Sequence, residues 1–376
     1  MSGLVWVELD GGALEHNLKE LRKGSAPGVL SCAVVKSNAY GHGIAQVSRL
    51  LPSAEWFGVN SLDEGLELRR LGVDRPILLL GPVPLADLGE AVEAALCMTV
   101  YNRETIERLS AIRGARGPAR VHVKVDTGTS RQGVLPENLE EFLKLVLAAP
   151  GVRLEGLSTH YANIEDTLNH EFAQLQIGRF QQALATAEKM AGRIPYVHTA
   201  CTAAALLFQQ THFTMLRTGI GLYGLWPSRE TMLSARERGG AVPSFRPVLR
   251  WKTRIAQIKT IPQGSYVGYG CSYRTTRTTL LGVLPVGYAD GYSRMVGNRG
   301  HVLLNGRRAP VIGRICMNLC MVDLTDLPSA RLEEEVVLLG TSGEETISAE
   351  TMAEWTGTIN YEVVTRISPL LPRKVV

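Results

Sequence analysis

Eight short apolar runs, each followed by a stretch with helical spacing, govern what the first two-thirds of this 376-residue chain can fold into. The runs lie at 31–35, 56–59, 77–80, 97–101, 121–125, 154–159, 196–199 and 215–216. Between them, Ser61-Leu62-Asp63-Glu64-Gly65-Leu66-Glu67-Leu68 repeats leucine at helix spacing. Pro136-Glu137-Asn138-Leu139-Glu140-Glu141-Phe142 opens with proline and acids, as a helix N-terminus does. Residues 166–190 read as a long helix or helix pair, and the weakest units are the helix at 85–95 and the last strand. Eight β-runs with a helix after each is the count of a closed (β/α)8 barrel, whose usual length is about 250 residues. An open doubly wound sheet competes with it. That fold normally carries a Gly-x-Gly-x-x-Gly turn after the first strand, and none is present here.

After Gly224 the texture changes. Residues 227–243 are polar and punctuated by Gly and Pro, which reads as a linker or surface excursion. From Phe245 onward strands dominate. Residues 250–261 alternate, 279–286 form a buried run, and 301–304 with 308–312 flank Asn305-Gly306, a strong hairpin signal. Only 348–355 looks helical, with Ser348 as N-cap. The expected architecture is α/β: an N-terminal TIM-type (β/α)8 barrel over 1–240, then a mostly β C-terminal domain over 241–376.

A hydrophobic share of 45% suffices for two cores. The net charge of +4 comes without a basic stripe, so nucleic acid is not an expected partner. The most apolar stretches, 76–81 and 145–149, fall far short of the roughly 20 residues of a membrane span. The opening residues have no basic n-region, apolar h-region or small-residue cleavage site. A soluble, cytoplasmic protein without membrane contact is expected. The six cysteines include no C-x-x-C pair and are expected as free thiols. Cys316 and Cys320 lack a ligand set at zinc spacing, and the eight histidines show no H-E-x-x-H, so no metal is expected.

Barrel enzymes place reacting groups at the C-terminal ends of the strands. Here those positions hold Lys36, Asn60, Tyr101, Asp126 to Arg131, His160, Cys201 with Thr202, and Arg217 to Gly219. A lysine, an imidazole and an arginine from strands one, six and eight then face one pocket. A lysine at the end of a buried strand is costly unless paired or functional, and it suits covalent attachment of an aldehyde cofactor. Position alone leaves open a lysine that snorkels to the rim.

The segment Ala33-Val34-Val35-Lys36-Ser37-Asn38-Ala39-Tyr40-Gly41-His42-Gly43 resembles the pyridoxal-phosphate attachment signature of the alanine racemases. Further segments resemble motifs of that family, in order: Lys124-Val125-Asp126-Thr127-Gly128, Arg217-Thr218-Gly219-Ile220-Gly221-Leu222-Tyr223-Gly224, Val267-Gly268-Tyr269-Gly270, Pro285-Val286-Gly287-Tyr288-Ala289-Asp290-Gly291-Tyr292, Cys316-Met317 and Asn360-Tyr361-Glu362-Val363. They cover nearly the whole chain. The resemblance implies a barrel followed by a β domain, with the first strand, near Trp6 to Leu9, paired to the β domain. It implies pyridoxal 5'-phosphate as cofactor, alanine as substrate, and D-alanine supplied for peptidoglycan.

Racemisation removes an α-proton from one face of a carbon and returns one to the other, so it needs an electron sink and two opposed acid–bases. The resemblance makes Lys36 both the cofactor lysine and one base, and Tyr269 the other. A free tyrosine, with a pKa of about 10, is a poor base and needs cationic neighbours. His160, His198 and Arg217 resemble the residues that supply them. Arg217 resembles the arginine that meets the pyridine nitrogen. An arginine stays protonated, so that nitrogen stays bare and the carbanion is short-lived. Thr202, the Gly219-Ile220 backbone, Tyr361 and Tyr40 resemble phosphate contacts. Arg131 resembles the arginine near the substrate carboxylate, and Lys124 a lysine that the family often carries as a carbamate. In the family Tyr269 and the Met317 backbone come from the partner subunit, with Tyr288 near the entrance. An obligate homodimer with shared sites is implied.

The chain departs from the common pattern at Cys201-Thr202, where Asn-Ser is usual, at Asn318, where Asp is usual, and at Thr129-Ser130 within the Asp126 to Arg131 segment. These positions bear on which amino acid is preferred. A racemase preferring serine, a decarboxylase of the same architecture and a non-catalytic cofactor carrier are the rival readings. The paired bases argue against the decarboxylase, and the β domain carrying Tyr269 argues against the carrier.

Overall fold

The computed structural model describes residues 3–112, 117–165, 167–237 and 242–376. It divides into two units. One comprises Ala13–Ser37 and Val47–Arg246, and the other Met1–Gly12, Asn38–Gln46 and Pro247–Val376.

Strand β1 (Val5–Leu9) belongs to the second unit. The first unit is built on β2 (Leu30–Val34), β3 (Trp56–Val59), β4 (Ile77–Leu79), β5 (Cys97–Val100), β6 (Ala119–Lys124), β7 (Val152–Ser158), β8 (Tyr196–His198) and β9 (Met215–Thr218). All neighbours are parallel, in the order β8-β7-β6-β5-β4-β3-β2-β9. The seam between β8 and β9 carries no ladder, but Thr214 N–H reaches Val197 O at 3.1 Å and Arg217 N–H reaches Ala200 O at 3.0 Å. The result is a nearly closed (β/α)8 barrel, and each strand falls on one of the eight apolar runs.

Local chemistry explains the helices. Leu62–Arg70 starts at a capping box, with Ser61 as N-cap and Glu64 reaching back to it, and it ends on Arg69 and Arg70. A 3-10 turn over Pro136–Asn138 leads into Leu139–Ala148. The long helix runs Glu171–Ala191; Asp166, the expected start, lies outside the described residues. The weak helix at 85–95 shrinks to Leu88–Glu93. The expected linker at 227–243 instead contains a helix, Arg229–Glu237, started by the Ser228 hydroxyl, which accepts from Thr231 N–H at 2.9 Å. Its residues 238–241 lie outside the described set.

The lumen is filled by Cys32, Trp56, Leu78, Cys97 and Met215, with Leu30, Leu80 and Tyr196 packed against them. It is a packed core, as small barrels require. Between β6 and β7 the register slips: Val121 faces Leu154 while His122 faces Gly156, which leaves Glu155 as an extra, bulged residue.

The second unit holds β10 (Leu249–Arg254), β11 (Gln257–Ile261), β12 (Thr279–Leu284), β13 (His301–Leu304), β14 (Arg307–Pro310), β15 (Cys320–Asp323), β16 (Glu335–Ser342), β17 (Glu345–Ile347) and β18 (Arg373–Val375). Seven strands form one sheet, β14-β13-β16-β10-β1-β18 with β17 on β16, and β11-β12-β15 form another. The alternating stretch at 250–261 is therefore two strands in different sheets. The switch occurs where Ile255 N–H pairs with Glu334 O and Ala256 N–H with Val283 O. Asn305 and Gly306 both take positive φ, 51° and 73°, as their two-residue hairpin demands. A second helix, Asn360–Thr365, follows Ala349–Thr356. Its N-cap is Ile359, which offers no capping side chain, so no local signal announced it.

Candidate active site

In a strand, residues two apart share a face. That rule carries the barrel's interior pattern up to its mouth. Met215 lines the lumen, so Arg217 does too; Tyr196 packs there, so His198 follows it. On β6, Arg120, His122 and Lys124 share one face. On β2, Cys32 and Val34 both lie within 3.4 Å of a Cβ built at Gly58, and Lys36 follows two residues past the strand end, close enough to Arg131 and Arg217 to feel their charges. Lys36, Lys124, His198 and Arg217 thus converge at the C-terminal end of the barrel.

Their electrostatics are mutual. Burial, then the Arg131 and Arg217 charges, hold Lys36 below the usual lysine range, against the pull of Glu64 and Glu165. Burial and the same two arginines bring Lys124 down to about 8. His160 and His198 are held well below the ordinary imidazole range, by burial first and Arg217 second. None of Lys36, Lys124, Arg131 and Arg217 forms an ion pair with a carboxylate among the described residues. Four clustered cations without an ion-pair partner suit a ligand that brings anionic groups.

Arg217 is buried and held by neutral acceptors. Its two terminal nitrogens bond His198 O at 2.6 Å, His198 Nδ1 at 2.6 Å, Thr159 O at 2.8 Å and Thr199 O at 3.1 Å. Thr202 accepts from Gly219 N–H at 3.2 Å and Gly221 N–H at 3.3 Å, which leaves its own hydroxyl proton to donate. The short turn Ile220–Tyr223 starts there, and its first N–H groups have no partner within the turn. Arg131 is set by the Asp126 carboxylate, which caps the Gly128, Thr129, Ser130 and Arg131 N–H groups. Burial raises that carboxyl, but the four N–H donors outweigh it and hold it low. Lys124 Nζ donates to Gln132 Oε1 at 3.3 Å, and Gln132 donates to the Tyr101 hydroxyl at 3.1 Å.

Lys36 opens an unusual backbone. Ser37, Asn38, Ala39 and Tyr40 have φ of 54°, 53°, 54° and 52°, a full left-handed turn of non-glycine residues. Each such residue costs about 1–2 kcal/mol. Strain of this kind concentrates where a site over-determines it. Glu64 helps to hold the turn by accepting from Ser37 N–H. Asn38–Gln46 then belongs to the second unit, where the Tyr40 ring lies 6.2 Å from that of Tyr361. Gly41 is obligatory there: a Cβ would come within 1.9 Å of Val364 O.

The second unit carries the remaining candidates. Tyr269 is 70% exposed on a turn between Gly268 and Gly270, both at φ 71°. Tyr288 and Met317 adjoin each other: Tyr288 N–H bonds Cys316 O at 3.1 Å, and Ala289 N–H bonds Met317 O at 2.9 Å. Both side chains are exposed. Gln132, Glu64 and His122 were missed from sequence. For His122 a signal existed, since it lies two residues before Lys124 on the same face.

Lys124 gives a pH test. A lysine depressed to about 8 in the fold and near 10.4 unfolded destabilises the chain below pH 8, and the cost lifts as pH rises toward 10.4. In the ligand-free protein, Lys124→Met is expected to be the more stable chain at neutral pH. Its advantage shrinks above about pH 8 in urea titrations. A difference independent of pH would contradict the burial of that charge.

The family model described as "Alanine racemase, N-terminal domain" matches residues 9–227, and that described as "Alanine racemase, C-terminal domain" matches 248–375. The chain is 40% identical over 372 residues to an alanine racemase of Desulfovibrio desulfuricans, covering 98% of this chain and 97% of that one. It is 38% identical over 375 residues to one of Leptospira interrogans, covering 99% and 95%. The crystal structure of alanine racemase from Bacillus anthracis with bound L-Ala-P superposes with a TM-score of 0.92 at 35% identity, covering 100% of this chain and 96% of that one. Model matches over most of the chain, full-length relatives and a shared barrel-plus-β architecture lead to one conclusion: the chain belongs to the alanine racemase family of isomerases.

Proposed function

We propose that this protein interconverts L-alanine and D-alanine with pyridoxal 5'-phosphate as cofactor and with Lys36 and Tyr269 as the two opposed acid–bases. The observation that carries the reading is the convergence of Lys36, Lys124, Arg131 and Arg217, none ion-paired among the described residues, on a barrel mouth that also holds His160 and His198. That donor set fits a cofactor bearing a phosphate and a phenolic oxygen, and a substrate bearing a carboxylate.

The cofactor, when bound, supplies the electron sink that lets an α-proton leave. Lys36 holds it and carries a proton on Nζ; its lowered basicity favours the free amine. Arg217 keeps its proton and places a fixed positive charge beside the ring nitrogen. The Thr202 hydroxyl, the Gly219-Ile220 backbone, Tyr40 and Tyr361 serve the phosphate. Arg131, pinned through Asp126, serves the substrate carboxylate. Lys124 stands beside it as a lysine open to carbamylation, and His160 with His198 supports Arg217.

Tyr269, Tyr288 and Met317 are exposed on the second unit. We read them as contributions to the partner's site in a homodimer. The product would serve peptidoglycan assembly in the cytoplasm. Six free thiols suit a reducing compartment.

Two measurements test the reading. Incubation with L-alanine in heavy water should give D-alanine by chiral separation, deuterium at Cα and no CO2. Release of CO2, or turnover of serine in preference to alanine, would overturn it. Mixing inactive Lys36→Ala with inactive Tyr269→Phe chains should restore activity through hybrid sites. No recovery after proven subunit exchange would mean that each chain builds its site alone.

A further inference from the structure

Below the mouth, with its two imidazoles, the barrel carries a further one that this mechanism does not use. His122 is fully buried, and its Nδ1 lies 2.8 Å from His198 Nε2. His198 Nδ1 in turn lies 2.6 Å from an Arg217 terminal nitrogen. A guanidinium has only donors, so His198 Nδ1 accepts. A neutral His198 then carries its proton on Nε2 and donates it to His122 Nδ1. A neutral His122 must carry its own proton on Nε2. One donor-only group thus sets the polarity of the whole chain. Burial, with Arg120 and Arg217 behind it, brings His122 down to about 3, and burial with Arg217 keeps His198 far below its ordinary range, so both rings stay neutral.

The seat of His122 is built closely. A Cβ at Gly156 would come within 2.5 Å of its Cγ, so only glycine leaves room for the ring. Tyr196 stacks on it at 5.7 Å and 19°, and Trp56 lies 5.6 Å away. The other partners of Arg217 are backbone carbonyls, which share in seating the guanidinium but leave the His198 ring unconstrained. His122 is the side chain that constrains it.

We propose that His122 is a positioning residue for Arg217: by accepting the His198 Nε2–H it fixes the ring orientation of His198, which in turn helps to hold the guanidinium at the mouth. The inference rests on the reading of Arg217 as the group that faces the cofactor ring.

A nitrogen of His122, Cys97 Sγ and a Glu155 oxygen lie within 4.8 Å of one another, the spacing of a metal site. Glu155 is already ion-paired to Arg120 at 2.7 Å and Arg153 at 3.4 Å. Burial also pushes the Cys97 thiol up to about 12. A metal on Nε2 would displace the proton that the hydrogen-bond chain places there. The cluster is a buried ion pair beside a histidine relay.

The test uses holoenzyme labelled with 15N in histidine. His122 and His198 should both report the neutral Nε2–H tautomer, unchanged from about pH 6 to about pH 9. His122→Leu removes the acceptor, His122→Asn returns one near the Nδ1 position, and Gly156→Ala displaces the ring without altering it. His122→Leu and Gly156→Ala should shift the His198 Nε2–H signal, which loses its acceptor, and lower kcat by about tenfold or more, with a much smaller change in KM. His122→Asn should recover most of both. Equal loss in the Leu and Asn variants, an undisturbed His198 signal in folded Leu and Ala variants, or a stoichiometric zinc in the isolated protein would overturn the proposal. The tautomer signals need no turnover of alanine. A wild-type chain without racemase activity would therefore sink the functional reading and leave the relay measurable.

Discussion

Lys36→Ala is expected to lower alanine racemisation by about 10⁴-fold or more, the range in which a positioned acid–base and a covalent lysine act together. The visible band of lysine-bound pyridoxal phosphate should disappear with it. Lys36 lies just past the end of β2, half-buried beside Arg131 and Arg217, and is followed by four left-handed residues. A merely rim-seeking lysine would need neither feature. Burial and the neighbouring arginines already favour its neutral amine, the form that attacks an aldehyde and accepts a proton. The chain should stay folded, because Lys36 holds no ion pair among the described residues. Absorbance spectra and chiral assay of D-alanine decide the matter. Retained turnover and a retained visible band in Lys36→Ala would remove this lysine from the mechanism.

Arg217→Glu should slow racemisation by about 10²–10³-fold, the usual worth of a charge aimed at a reacting group. It should also raise side transamination relative to racemisation. The reason lies in what holds the guanidinium: three carbonyl oxygens and an imidazole nitrogen, with no carboxylate. The positive charge is therefore undiluted, and it cannot pass a proton to the ring. A glutamate could share one. It would also face the Thr159, His198 and Thr199 carbonyls without donors for them, so some stability is lost as well. Arg217→Lys separates the effects: it keeps the charge and loses the fork. Its transamination ratio should stay near that of the wild type while its rate falls. Equal ratios in wild type, Lys and Glu variants, measured on folded and cofactor-loaded protein, would make Arg217 a structural residue only.

The barrel was legible in the residue order because its strands are buried on both faces. Such strands read as continuous apolar runs, and helical spacing separates them at regular intervals. The capping box at Ser61 and the Asn305-Gly306 turn are likewise short-range chemistry, written in adjacent residues. The helix at Asn360–Thr365 was not legible, because its stability comes from packing on Ala349–Thr356 and not from a cap or an amphipathic run. The break of 250–261 into two strands was hidden for a related reason: alternation reports one buried face and says nothing about which sheet supplies the cover.

The ordered motifs identified the family and named candidates for the site, one residue at a time. They carried no information on what those candidates touch. That Arg217 is held by carbonyls of two neighbouring strands and not by an acid, that Glu64 supports the turn after Lys36, and that Asn38–Gln46 groups with the second unit are all consequences of chain closure. His122 shows the limit most clearly. Its parity with Lys124 was readable on one strand, but its partner His198 lies 76 residues away. Local sequence determines which face of a strand a side chain takes, because that is fixed by the pleat. Only the closed barrel decides which side chain waits on the opposite wall, because that depends on how eight separate strands are set against one another.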